Sequence, residues 1–147
     1  MNAKNILLTG SAGFMGANLL KRLIADGETG NIVLLTHHQG LSEEIKGKNL
    51  IKVKCELSDY VGLCNIISKY DINVIYHLAS NSIVRKCAND PLNAYLTNVM
   101  GTVNLLEAVR NVGMNTVKKI IISTSDKVYG HAPSPYTEDT KFEPRYT

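Results

Sequence analysis

Short apolar runs alternate along the chain with longer segments in which apolar residues recur every three or four positions. The runs "NILLT" (5–9), "NIVLLT" (31–36), "LIKVK" (50–54), "NVIYHLA" (73–79) and "KIIIS" (119–123) are rich in Ile, Val and Leu, as strands covered on both faces are. Between them, residues 14–26 place Leu19, Leu20, Leu23 and Ile24 on one side of a helix, and residues 59–69 do the same with Leu63, Ile66 and Ile67. The longest helical pattern covers 92–111, where Tyr95, Val99, Val103, Leu106 and Val109 recur at helical spacing before Gly113 offers a stop. Leu96, Met100 and Leu105 widen this stripe beyond what one sheet face covers, which predicts a second contact surface. Strands and helices in this alternation predict βαβ units, a parallel sheet and an α/β fold. From Ala132 onward the chain carries all but one of its prolines and little apolar content, and reads as surface loop.

Composition narrows the class without naming a function. A chain of 147 residues fits one domain, and 44% hydrophobic with 20% charged residues at a net charge of +3 describes an ordinary globular protein, not a disordered or nucleic-acid-coating one. Cys55, Cys64 and Cys87 are odd in number and lack CxxC or Cys/His spacing, so neither a disulfide framework nor a zinc site is expected, and a reducing cytoplasm is the simplest home. No apolar run approaches a membrane span, and residues 5–9 lead directly into a glycine turn where a signal peptide needs a longer apolar region.

That turn is "TGSAGFMG". Gly10, Gly13 and Gly16 stand three apart, which gives a tight turn off the strand, a backbone free of Cβ where a pyrophosphate comes close, and a tight helix–strand contact. A helix starting near Ala12 and running through Phe14 and Met15 aims its unbonded N–H groups and positive dipole end at the phosphates. Its place between strand and helix favours a dinucleotide site over a glycine-rich turn without ligand.

Four stretches, in this order, resemble one family. "TGSAGFMG" matches the TGxxGxxG pattern of the extended short-chain dehydrogenases/reductases, the NAD(P)-dependent nucleotide-sugar epimerases and dehydratases. "YHLAS" (76–80) looks like their fourth-strand motif, "TNVMGTVNLLEAVR" (97–110) like the helix that follows, and "STSDKVYG" (123–130) like the loop after the fifth strand. Residues 82–110 together with "TSDK" are most similar to the CDP-glucose 4,6-dehydratases. The resemblance implies a Rossmann-like doubly wound sheet with strands in the order 3-2-1-4-5 and helices on both faces. It also implies that 1–147 is an incomplete NAD(P)-binding domain, stopping before the last strands and the substrate domain.

By the same resemblance, Ser125 hydrogen-bonds the hexose hydroxyl at carbon 4 while a neighbouring tyrosine removes its proton and the hydride passes to the nicotinamide. Asp126 stands at the dehydratases' general acid for the departing hydroxyl at carbon 6, an acid that epimerases lack. Lys127 takes the place of a glutamate base at carbon 5, a role open to a lysine once desolvated. Independently of any family, polar groups at the carboxyl end of a central strand in an open α/β sheet face the ligand crevice. A solvated turn pair is the alternative for Asp126 and Lys127, and backbone-bonded strand-end hydroxyls the alternative for Ser123 and Thr124.

On the cofactor side, NAD-preferring members end the second strand with an acid, where this chain has Thr36 followed by His37 and His38. Without a carboxylate the 2′-phosphate of NADP is not repelled and a histidine can help hold it, while Thr36 tolerates NAD, so NAD versus NADP stays open. The adjacent histidines have no third ligand in view, and no metal site is expected. Glu56 aligns with an adenine-contacting Asp, and Leu57 is expected to pack on the adenine. His77, Leu78, Ala79 and Ser80 are expected under the ribose and phosphates, with His77 equally readable as a satisfied core histidine. Asn98 matches an asparagine kept near the nicotinamide, or is a helix-capping or sheet-contact amide.

The family's Tyr-x-x-x-Lys pair, its catalytic base and the lysine that lowers the tyrosine pKa, should follow a stretch such as "PRYT" (144–147). Tyr146 is the last tyrosine and Thr147 the last residue. The expectation is the cofactor-binding part of a nucleotide-sugar 4,6-dehydratase, inactive alone, whether an isolated domain, a truncated product or a piece completed by another chain. A 4-epimerase of the same family and a non-catalytic dinucleotide-binding module are the alternatives. The implied partners are a nucleotide sugar and a second copy of the chain, docked through the 92–111 helix as half of a four-helix interface, with neither nucleic acid nor membrane.

Overall fold

Period-two alternation in the strands sorts their side chains between two cores. A computed structural model describes residues 4–27, 29–36 and 49–144. Strands β1 (Lys4–Thr9), β2 (Thr29–Thr36), β3 (Leu50–Lys54), β4 (Val74–His77) and β5 (Lys119–Ile122) form one parallel sheet in the order β3-β2-β1-β4-β5, the expected doubly wound arrangement. Register aligns Ile6 with Ile32 and Val74, and Leu7 with Val33 and Ile75. On one face Ile6, Leu8, Ile32, Leu34 and Val74 bury against Leu20 of α1 (Phe14–Asp26). On the other, Leu7, Val33 and Ile75 bury against Leu63, Ile66 and Ile67 of α2 (Tyr60–Lys69) and against Leu105 and Ala108 farther along. Each fully buried leucine among these contributes about 1.5–3 kcal/mol of transfer free energy.

Local chemistry sets the helix ends. Gly27, at φ +67°, closes α1 in the left-handed region. Asp59 accepts the Gly62 N–H at 2.9 Å to cap α2. A short helix that the periodicity does not predict, α3 (Val84–Asn89), precedes α4 (Pro91–Tyr95), which Asp90 caps by accepting the Asn93 N–H at 3.1 Å with Pro91 in the first turn. The same rod continues as a π-helical segment Leu96–Met100, then α5 (Gly101–Ala108), then a second π segment Val109–Gly113. Helix α1 begins at Phe14, not near Ala12, because the Gly13 N–H still closes a turn onto the Gly10 carbonyl at 3.0 Å.

Two expectations are corrected. The face of the long helix that meets the core is Gly101, Leu105, Ala108, Val109 and Gly113, whereas Tyr95, Val99, Val103 and Leu106 are exposed. The core face is built on small residues because the backbone comes close to its neighbours. A Cβ at Gly101 would stand 2.9 Å from the Cβ of Leu57, and one at Gly113 would stand 3.1 Å from Ile67 Cγ2. The three isoleucines of β5 are half-buried and not enclosed, since β5 lies at the sheet edge and pairs only with β4 among the described residues. Among the described residues, no helix is long and apolar enough to cross a membrane.

The proline-rich stretch after Gly130 has neither helix nor strand among its described residues, yet it is tied down. Tyr129 stacks on Tyr136 with ring centroids 4.8 Å apart and meets Phe142 at 5.7 Å. The Glu143 N–H donates to the Val128 carbonyl at 2.8 Å.

Candidate functional site

The three glycines of the first turn do different work. Gly10 has φ +70°, and a Cβ there would stand 2.6 Å from both Ala79 N and the Leu78 carbonyl carbon, so the turn rests directly on the backbone leaving β4. Gly16 is buried against Gly10, whose carbonyl oxygen a Cβ at Gly16 would overlap. Gly13 is exposed, and the nearest atom to a Cβ there is the Gly10 oxygen at 3.3 Å. Gly13 is also the N-cap of α1, with no side-chain cap and no acid in the first turn, where α2 and α4 each carry an aspartate. The first-turn amides of Phe14, Met15 and Gly16 have no intrahelical partner, and the dipole adds positive potential. This uncapped, side-chain-free cradle suits a pyrophosphate. Ala12, Phe14 and Met15 are exposed around it, Phe14 at 87%. Ser11 is buried beneath, its Oγ without a hydrogen-bond partner among the described residues.

Beside the turn runs a polar chain, buried at Thr9 and His77 and exposed at Asn98. Thr9 and His77 face each other in the β1–β4 register, with Thr9 Oγ1 2.8 Å from His77 Nδ1. The Ala79 N–H donates to Thr9 Oγ1 at 3.1 Å. On the far side of the ring, His77 Nε2 lies 3.0 Å from Thr102 Oγ1, and that hydroxyl donates to the Asn98 carbonyl at 2.8 Å. The Asn98 amide closes a two-way bond with the Asn81 backbone, accepting its N–H at 2.7 Å and donating to its carbonyl at 3.0 Å. Leu78 and Ala79 are half-buried and Ser80 is exposed. His77 itself is 2% exposed, and burial pushes its imidazole below the ordinary histidine range.

At the β2–β3 end, Thr36 donates its hydroxyl to the Val53 carbonyl at 3.2 Å, so its lone pairs are what it has to offer a ligand. His37 and His38 lie outside the described residues, as do Tyr146 and Thr147. Glu56 is exposed and accepts from Ser58 Oγ at 3.3 Å. Leu57 is clamped: its side chain meets Gly101, and its carbonyl accepts from Asn104 Nδ2 at 2.9 Å.

Ser125, Asp126 and Lys127 lie exposed beyond the carboxyl end of β5. Residues Asp126–Tyr129 form a 3-10 turn whose N-cap is Ser125, with Ser125 Oγ accepting the Lys127 N–H at 3.2 Å and lying 3.4 Å from Asp126 Oδ1. The structure thus brings Gly10 against Leu78 and Ala79, and Asn98 against Asn81, while Ser125–Lys127 bond within their own turn. Thr9, Asn81, Gly101, Thr102 and Asn104 are structural members of this region that sequence reasoning left out. Thr9 and Thr102 sit inside the quoted motifs, so the signal was a threonine adjoining a motif glycine. A shallow depression lined by Lys4, Asp71, Asn73 and Lys118 lies at the opposite, amino end of the strands.

Comparison with known proteins agrees with this architecture. A family model described as GDP-mannose 4,6 dehydratase matches residues 7–147. A UDP-glucose 4-epimerase of Mycolicibacterium smegmatis is 36% identical over 143 residues, 94% of this chain and 44% of that protein. A CDP-glucose 4,6-dehydratase of Salmonella typhimurium is 33% identical over 129 residues, 86% of this chain and 35% of that protein. The solved structure of UDP-glucose 4-epimerase from Brucella ovis in complex with NAD superposes with a TM-score of 0.82 at 27% identity, over 97% of this chain and 42% of that one. The chain therefore spans less than half the length of these proteins. With its glycine turn, strand order and four motifs in place, the chain belongs to the GDP-mannose 4,6-dehydratase family, among the extended short-chain dehydrogenases/reductases that include nucleotide-sugar epimerases and dehydratases.

Proposed function

We propose that the chain is the NAD(P)-binding part of a nucleotide-sugar 4,6-dehydratase, with residues 1–147 as an incomplete domain. The observation that carries the cofactor reading is the contrast between α1, whose N-terminus is uncapped, acid-free and open at Gly13, and α2 and α4, capped by Asp59 and Asp90. Gly10, Ala12, Gly13, Phe14, Met15 and Gly16 hold the pyrophosphate. Thr36 with His37 and Glu56 with Leu57 take the adenosine, and Leu78, Ala79, Ser80 and Asn98 line the remaining length. The bound dinucleotide supplies a hydride acceptor that later returns the hydride. Ser125 orients the hydroxyl at carbon 4. Lys127 takes the proton from carbon 5 while the hydroxyl at carbon 6 leaves as water with the proton of Asp126, forming the double bond between carbons 5 and 6.

What supports the dehydratase is the acid at Asp126 in the turn that Ser125 caps. A 4-epimerase is the second reading, favoured by the higher identity to the M. smegmatis epimerase. Calorimetric titration with NAD and NADP tests the cofactor: binding is expected in the wild type and absent in Gly13→Val, and equal affinity in the two would sink it. In a protein extended through the rest of a family-length chain, Asp126→Asn is expected to block loss of water yet permit cofactor reduction. Intact dehydration in that variant would overturn the assignment of the turn. Two copies are further proposed to pair through the exposed apolar stripe of the long helix.

A further inference from the structure

One arrangement of protons pairs every hydroxyl and both ring nitrogens in the hydrogen-bond chain through His77. Thr102 Oγ1 gives its single hydrogen to the Asn98 carbonyl at 2.8 Å, so toward the ring 3.0 Å away it can only accept. The proton on the ring therefore sits on Nε2. Nδ1 is then an acceptor, and Thr9 Oγ1 donates to it at 2.8 Å while a lone pair of the same oxygen receives the Ala79 N–H at 3.1 Å. Every polar atom from Ala79 to Asn98 is satisfied in this one tautomer.

The geometry points to His77 as a positioning residue that, as the neutral Nε2–H tautomer, fixes the distance between the floor of the glycine cradle and the Asn98 side of the long helix. On the floor side, its Thr9 partner holds Ala79, and Ala79 N is the atom on which Gly10 rests. On the helix side, its Thr102 partner holds the Asn98 carbonyl, and the Asn98 amide holds both backbone groups of Asn81. The Asn81 carbonyl also accepts from Cys87 Sγ at 3.0 Å, which ties α3 to the same point. The ring thus links β1, β4 and the helix, and a proton on Nδ1 would take away the acceptor of the Thr9 hydroxyl hydrogen. Burial, which disfavours the charged ring, works in the same direction. The ligand that gains from this rigidity is the dinucleotide, so the inference deepens the cofactor reading above and rests on it.

Thr102 offers the cleanest test, because Thr102→Val keeps the shape and removes both hydrogen bonds, and Thr102→Ser restores them. In the wild-type chain, long-range proton–nitrogen NMR at neutral pH is expected to show a protonated Nε2 and a bare Nδ1. Thr102→Val is expected to raise hydrogen exchange at the Ala79 amide and the Asn98 side-chain amide and to weaken dinucleotide binding by up to about tenfold, the scale of a net hydrogen-bond contribution of about 1 kcal/mol. Thr102→Ser should recover both. A ring protonated on Nδ1, or exchange and affinity in Thr102→Val equal to wild type, would overturn the proposal. A wild-type chain that binds no dinucleotide overturns the cofactor reading instead and leaves the tautomer and exchange measurements to decide for His77.

Discussion

Replacing Gly16 with alanine should damage the fold while replacing Gly13 should spare it, although both belong to the same motif. A Cβ at Gly16 would overlap the Gly10 carbonyl oxygen, stand 2.7 Å from its carbon and lie 2.9 Å from Ser11 Cα. All three are backbone atoms of the turn, and Gly10 cannot retreat because it rests on Ala79 N. The first turn of α1 must instead back away, drawing Leu20, fully buried between α1 and the sheet, out of contact with Ile6 and Leu8. Forced overpacking of this kind costs about 1–3 kcal/mol and occasionally more, and the better helix propensity of alanine returns about 1 kcal/mol. Because the added carbon would overlap a backbone oxygen, the cost falls at the top of that range, and the net loss of about 2 kcal/mol lowers the melting temperature by roughly 4–8 °C in a domain of this size. At Gly13 the backbone is at φ −76°, ψ 169°, which any residue adopts, and the 3.3 Å approach to Gly10 O needs only a small adjustment. Gly13→Ala is therefore expected to cost about 0.5–1 kcal/mol as a weakened cap. Thermal unfolding followed by circular dichroism measures both. An unchanged melting temperature for Gly16→Ala, or an equal loss in Gly13→Ala, would refute the division of labour among the glycines.

Other outcomes are open to direct measurement. The unfolded His77 imidazole gains a proton near its ordinary pKa of about 6.5 while the buried one stays neutral to lower pH. Its contribution to stability is thus fully present above pH 6.5 and is lost as pH falls toward the folded value, at up to about 1.4 kcal/mol per pH unit. Urea denaturation between pH 7.5 and 5.5 should show this slope flattened in His77→Asn; identical slopes would refute it. The Cys55 thiol is pushed up to about 11, by burial first and then by Asp59 and Glu56. With about one thiolate in a thousand at pH 8, it should be the last of the three cysteines alkylated, as read by mass spectrometry. The stripe that includes Leu96, 50% exposed, and Val103, 48% exposed, should make the chain self-associate in light scattering and Leu96→Glu with Val103→Glu monomeric; a monomeric wild type at high concentration refutes the pairing. The 147-residue chain is expected to have no turnover with nucleotide sugars, since no group among Ser125, Asp126 and Lys127 is assigned to take the proton from the carbon-4 hydroxyl; a 4-keto-6-deoxy product from it would reject that division of roles.

The strands were legible because Ile6, Leu7, Leu8 and their counterparts in β2 form short continuous apolar runs, the mark of strands covered on both faces, which needs no tertiary knowledge. Helix α1 was equally legible, with its glycines before and after. The long helix was legible as a helix but its core face was not, for two physical reasons. Its core face is marked by Gly101, Ala108 and Gly113, which weigh little in any hydrophobic pattern, and its two π segments hold extra residues per turn, so that spacing counted at 3.6 drifts off the true face. Helix α3 escaped because Val84–Asn89 is six residues long and has no buried residue. The glycine cradle was readable as a local motif. The bond between Thr9 and His77 was not, since it joins positions 68 apart in sequence and exists only through the register of β1 on β4.

The stacking of Tyr129 on Tyr136 gives the turn of Ser125, Asp126 and Lys127 an optical signature of its own. The chain has seven tyrosines and no tryptophan, so no indole absorbs or quenches over them. Two phenol rings 4.8 Å apart and inclined at 26° form a fixed chiral pair, the kind of packing that near-ultraviolet circular dichroism detects. Tyr129 is also the last residue of the 3-10 turn that begins with Asp126. Anything that reshapes that turn, whether a sugar hydroxyl settling on Ser125 or a shift in the chain that follows, must disturb the pair, and the disturbance is readable in solution without a label.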